Sequence, residues 1–116
     1  MEREVKINFA SRKLQKSMEG ESSLKKTYGK LASALKRRLA ILDSATCLDD
    51  VPTSSPDWCH ELKGKRAGTF AVEVSGNYRL IFEPDHDPVP LLGDGGIDLK
   101  KVTAVKILEV YDYHGK

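Results

Sequence analysis

A chain of 116 residues with 40% apolar and 31% charged positions has the size and balance of one globular domain with a single modest core, so residues 1–116 read as one unit. No apolar run approaches the roughly 20 residues that a membrane-spanning helix needs, which argues against a membrane protein. The formal charge of +2 hides a polarity that suits a polyanionic partner on one side, or simply solvated faces of opposite sign: residues 1–38 carry eleven Lys/Arg against four Glu, a net +7, and residues 83–98 carry five acids and no Lys or Arg, a net −5.

The charged start, MEREVKINFA, has no apolar stretch of the secretory kind, and the expected location is the cytoplasm. Val5, Ile7 and Phe9 alternate with Lys6 and Asn8, predicting a short strand with one wet face. Ser11 is placed to cap a short helix from Arg12, with Leu14 and Met18 as its apolar contacts, and Glu19-Gly20-Glu21 ends it. Ser22 or Ser23 then starts the strongest helical pattern. Leu24, Tyr28, Leu31, Leu35, Leu39 and Leu42 recur at spacings of three and four, on one stripe. Opposite them Lys26, Lys30 and Arg37 fall almost in line, with Lys25 and Lys36 beside them. No acid lies between Leu24 and Leu42, so the sequence predicts a basic ridge, either a nucleic-acid contact or a solubilising face.

Periodicity stops from Asp43 to Trp58, where Pro52 and Pro56 mark a loop. Trp58 is expected to anchor its end on the core, with ligand stacking as the alternative. Cys47 and Cys59 could pair but read as free thiols, and neither they nor His60 complete a metal site, so no metal or cofactor is expected.

The most informative stretch is His60–Glu83, HELKGKRAGTFAVEVSGNYRLIFE. A basic, glycine-broken run (Lys63, Gly64, Lys65, Arg66) precedes two apolar runs joined by Ser75-Gly76-Asn77, the pattern of a β-hairpin. Arg79 is a full charge in an otherwise apolar or aromatic strand. It reads either as the cation of an anion-binding face or as the partner of Glu73 across the hairpin. Pro84 to Lys101 is irregular, and Val102–Tyr113 is a strand by composition. Its apolar residues change parity at Leu108, so either both faces are covered or a bulge shifts the register there. The expected fold is α+β in the order β-α-α-β-β-β: two N-terminal helices, one long, packed on a small, mainly antiparallel twisted sheet.

CHELKGKRAGTFAVEVSGNYRLIFEP, with DGGIDLKKVTAVKILEVYDYH at the C-terminus, resembles the HigB-like plasmid maintenance killer toxins of the RelE/ParE superfamily. LKGKRAG, NYRLIFEP and the terminal DYH are the most specific parts, and the likeness spans nearly the whole chain. The resemblance implies a RelE-like fold and the toxin of a type II toxin-antitoxin system. It further implies a ribosome-dependent endonuclease that cuts mRNA, neutralised by a helix-turn-helix, HigA-like antitoxin. Its family positions fall on Lys63, Lys65 and Arg66, then Arg79, then Tyr113 and His114. In such an enzyme the basic ridge of Lys25, Lys26, Lys30, Lys36 and Arg37 is expected to bind RNA and the ribosome. The lysines of the RelE branch are replaced by Ala71, Val72 and Glu73, so a lysine base does not transfer, and Lys63 stands where many relatives carry histidine.

Metal-free cleavage by the adjacent 2′-hydroxyl needs a base, an acid and positive charge around the phosphorus. Arg79 suits the phosphate, assisted by Lys65 and Arg66. His114 suits proton transfer near neutral pH, Tyr113 suits stacking or phosphate orientation, and Glu73 is a weaker candidate base. His60 and His86 are less attractive. Two other readings compete: a ParE-like toxin that inhibits DNA gyrase without cleavage, and an inactive homologue that binds its antitoxin.

Overall fold

The computed structural model describes residues 4–113. The opening alternation becomes strand β1 (Lys6–Phe9). Ser11 caps helix α1 (Arg12–Ser17), its hydroxyl accepting from the Leu14 amide at 3.1 Å. Glu19-Gly20 ends this helix as expected, and Gly20, rather than Ser22 or Ser23, stands at the start of helix α2 (Glu21–Tyr28).

The leucine stripe does not continue as one rod. A 3-10 turn at Gly29–Leu31 separates α2 from the long helix α3 (Ala32–Ser44). In a straight helix, residues 21 and 36 would stand about 22 Å apart along the axis. Here Lys36 Nζ lies 3.6 Å from Glu21 Oε1, so the two arms fold back beside each other. Gly29 makes the reversal at φ 53° and ψ −118°, a backbone geometry that any side chain would strain. Spacings of three and four report which residues are buried, not whether the helix is continuous. Leu24, Leu35 and Leu42 are all buried although they lie on different arms.

Among the described residues five strands form one sheet in the order β1-β5-β4-β3-β2, with β2 at His60–Glu61, β3 at Phe70–Ser75, β4 at Tyr78–Pro84 and β5 at Ala104–Asp112. β1 runs parallel to β5, and the other pairings are antiparallel. The two-residue β2 is too short to register as a periodic segment. The change of parity in β5 is a bulge: Ile81 faces Glu109 and Phe82 faces Ile107, which leaves Leu108 as the extra residue. Leu35 and Leu42 of α3 pack with Val72, Leu80, Phe82, Val105 and Ile107 from one face of the sheet.

Trp58 departs from expectation. It is 47% exposed, at φ 49°, while its neighbours Asp57 and Cys59 take the inward positions and tie the loop end to the core. Cys47 and Cys59 are free thiols. Burial and the nearby Asp57 carboxylate push the Cys59 thiol up to about 12. Among the described residues no helix is long and apolar enough to cross a membrane.

Candidate functional site

Strand alternation builds the site. Residues next to each other on a strand point to opposite faces, and paired residues on neighbouring strands share one. Glu73 on β3, Arg79 on β4 and Tyr111 on β5 lie in register, and so does the next row, Ala71, Ile81 and Glu109. This is the face away from the helices: Ala71 and Ile81 are buried yet stand outside the helix-packed core cluster. The face is therefore an apolar floor edged with charges and phenols.

Arg79 is neither locked inward nor free. Its Nη2 lies 3.4 Å from Glu73 Oε2, and its side chain is 23% exposed. Nη1 donates to the carbonyls of Gly76 and Tyr78 at 3.2 and 3.4 Å. The guanidinium carbon sits 5.2 Å from the centre of the Tyr113 ring. Arg79 thus pairs with Glu73 across the hairpin and still reaches solvent.

Arg66 arrives from the 3-10 turn Gly64–Arg66. Its Nη1 donates to Glu109 Oε2 at 3.3 Å, and its guanidinium carbon stands 4.5 Å over the Tyr111 ring. Desolvation alone would lower the Arg66 pKa, but the hydrogen bond and charge of Glu109, with smaller effects from both tyrosines, raise it. Tyr111 and Tyr113, two apart and hence on one face, meet edge-on with centroids 4.7 Å apart. The result is a continuous line, Arg66–Tyr111–Tyr113–Arg79. Tyr113 follows the last residue of β5, and its amide donates to Asn77 O at 2.9 Å, which pins the strand end beside the hairpin turn.

Lys63 and Lys65 are exposed on the turn that carries Arg66. His114 lies outside the described residues. Lys25, Lys26, Lys30, Lys36 and Arg37 are all exposed, but not as one ridge: Lys25 and Lys26 ride on α2, Lys30 on the turn, and Lys36 and Arg37 on α3. Lys25, Lys36 and Arg37 line the cleft between the two arms.

Sequence reading missed Glu109 and Tyr111, although counting back by twos from Tyr113 finds both. It also missed a buried pair with no local signature. Arg38 and Asp57 have side chains 9% and 6% exposed, with Arg38 Nε 3.6 Å from Asp57 Oδ1. Arg38 Nε donates to the Glu73 carbonyl at 2.6 Å, and the Glu73 amide donates to the Asp57 carbonyl at 2.8 Å. Among the described residues, no group of three or more His, Cys, Asp or Glu is placed to hold a metal ion.

Two guanidiniums flanking two phenols on a partly exposed face can grip phosphodiester oxygens and stack bases. The paired carboxylates orient the guanidiniums and oppose an incoming anion.

Residues 7–89 match a family model described as the HigB-like toxin, a RelE-like toxin of type II toxin-antitoxin system HigB. No curated protein sequence is similar enough to the chain to match. Among solved structures, a YoeB/ParE toxin from Agrobacterium tumefaciens superposes with a TM-score of 0.52 at 11% identity, over 95% of this chain and 100% of that one. At that identity the likeness speaks for the fold alone, and the fold is RelE-like.

Proposed function

This chain belongs to the HigB-like toxin family of RelE-like type II toxins, and from that premise we propose that it is a ribosome-dependent mRNA endonuclease acting in the cytoplasm as a single domain over residues 1–116. The observation that carries the reading is the meeting of Arg66, Tyr111, Tyr113 and Arg79 on one partly exposed sheet face. In the proposed step the 2′-oxygen attacks the adjacent phosphorus, its proton passes to a base, and the bond to the 5′-oxygen breaks as that oxygen gains a proton. The products are a 2′,3′-cyclic phosphate and a 5′-hydroxyl.

Arg79 holds the non-bridging oxygens as negative charge builds, with Arg66, Lys63 and Lys65 adding positive potential. Tyr113 stacks on a base or orients the phosphate, and His114 exchanges the proton. The exposed cations Lys25, Lys26, Lys30, Lys36 and Arg37 dock on ribosomal RNA. The partner that neutralises the toxin is a HigA-like helix-turn-helix antitoxin.

The ion pairs Arg79–Glu73 and Arg66–Glu109 favour a second reading, a non-cleaving ParE-like binder or an inactive homologue, because both cations already have acidic partners. Primer extension on a message translated in a purified system separates the readings. Codon-register cuts that need the ribosome support the nuclease. An intact message overturns it, and inhibition of DNA gyrase would then identify the binder.

A further inference from the structure

We infer that Arg38 and Asp57 are positioning residues for Arg79, acting through the backbone of Glu73. The catalytic consequence rests on the reading of Arg79 as a phosphate clamp; the geometric consequence does not. Replacing a buried ion pair with apolar residues is often neutral or stabilising, so stability alone does not explain one. This pair is also poorly optimised: Nε and Oδ1 are 3.6 Å apart, and Asp57 Oδ1 has no hydrogen-bond partner among the described residues.

What the two residues do is hold the free edge of one strand residue at both its carbonyl and its amide. β2 covers only Phe70 and Ala71 of β3, so among the described residues the outer edge of β3 at Glu73 has no neighbouring strand. There Arg38 takes the Glu73 carbonyl at 2.6 Å and Asp57 O takes its amide at 2.8 Å. The register of the hairpin shifts between Glu73 and Ser75, a place where an unclamped strand can re-aim its side chains. With the backbone clamped, the Glu73 carboxylate is delivered 3.4 Å from Arg79 Nη2. Helix α3, which carries Arg38, is thereby coupled to the guanidinium on the far face of the sheet.

The experiment compares wild type, R38M/D57N and R38K by thermal melting, by the NMR resonance of the Arg79 Nε–Hε group, and by kcat and KM for ribosome-bound message. In a folded R38M/D57N protein the Arg79 resonance moves and exchanges faster. Its kcat falls about 10- to 100-fold, as expected for a misplaced catalytic group, while KM holds. R38K recovers part of the loss, and adding R79A to R38M/D57N lowers kcat no further than R79A alone. An unchanged Arg79 resonance in the folded double variant overturns the inference, as does a loss that adds fully to that of R79A. If R79A alone cleaves at the wild-type rate, the clamp reading fails, and the Arg79 resonance by itself upholds or overturns the positioning. If R38M/D57N does not fold, R38K is judged by the same resonance and the same criteria.

Discussion

Replacing Arg79 with alanine separates what this side chain does for the fold from what it does for a substrate. In the free protein it makes one partly exposed ion pair with Glu73, two long Nη1 hydrogen bonds to the Gly76 and Tyr78 carbonyls and one cation–π interaction with the Tyr113 ring. The ion pair contributes about 0.2–1 kcal/mol, the shared Nη1 hydrogen bonds together about 0.5–1.5 kcal/mol and the cation–π interaction about 0.5–1 kcal/mol. Their loss removes about 1–3.5 kcal/mol from a domain whose stability lies at about 5–15 kcal/mol, so even at the low end more than about 90% stays folded. Losing a preorganised donor to a developing oxyanion, by contrast, costs about 100- to 1000-fold in kcat. Urea unfolding and single-turnover cleavage on stalled ribosomes, measured on the same preparations, should show a small shift in midpoint beside a loss of two to three orders in rate. Arg79→Lys keeps a charge but not the planar fork and should fall between. A rate within about threefold of wild type in folded Arg79→Ala would refute the reasoning, since no effect on this scale survives such a result.

Four further outcomes follow from the same structure. Cys59, with its pKa raised from 9.0 to about 12 by burial and by Asp57, should alkylate far more slowly than Cys47 at pH 8, read by mass spectrometry. Because the fold favours the protonated thiol, this contribution to stability is intact below pH 9 and is lost as pH rises toward about 12, which pH-dependent unfolding would register. Gly29→Ala should cost about 1–3 kcal/mol, because φ 53° with ψ −118° suits no side chain; an unchanged melting temperature would show that the reversal between α2 and α3 is not strained. Lys25→Gln, Lys26→Gln and Lys30→Gln together should weaken ribosome binding and flatten its log–log salt dependence by about 0.7 for each phosphate that is no longer neutralised.

The parts of the fold legible in the sequence were those encoded by local repetition. Alternation placed the hairpin around Gly76 and Asn77 and marked the change of parity at Leu108, left open between two covered faces and a bulge, because burial on a pleated strand leaves a mark every second residue. The Ser11 cap was legible for the same local reason. The break at Gly29 was hidden because both arms bury their leucines against one core, and the stripe survives the turn. The parallel pairing of β1 with β5 joins residues nearly a hundred apart, and no local pattern carries it. At the site, Arg79 stood out as a charge among apolar neighbours; Tyr113 stands beside it, and Arg66 is joined to it only through Tyr111 and Tyr113. Its support did not stand out. Arg38 looks like one more helix cation and Asp57 like one more loop acid, and only folding buries them against each other.

The most direct test of the account is the chemistry of the cut ends. Message recovered from a purified translation system containing the protein is analysed for terminal groups on both fragments at each cleavage position. Attack by the 2′-oxygen predicts a 2′,3′-cyclic phosphate, or the 3′-phosphate from its hydrolysis, facing a 5′-hydroxyl. A full-length message, or cuts that leave a 5′-phosphate, would contradict it.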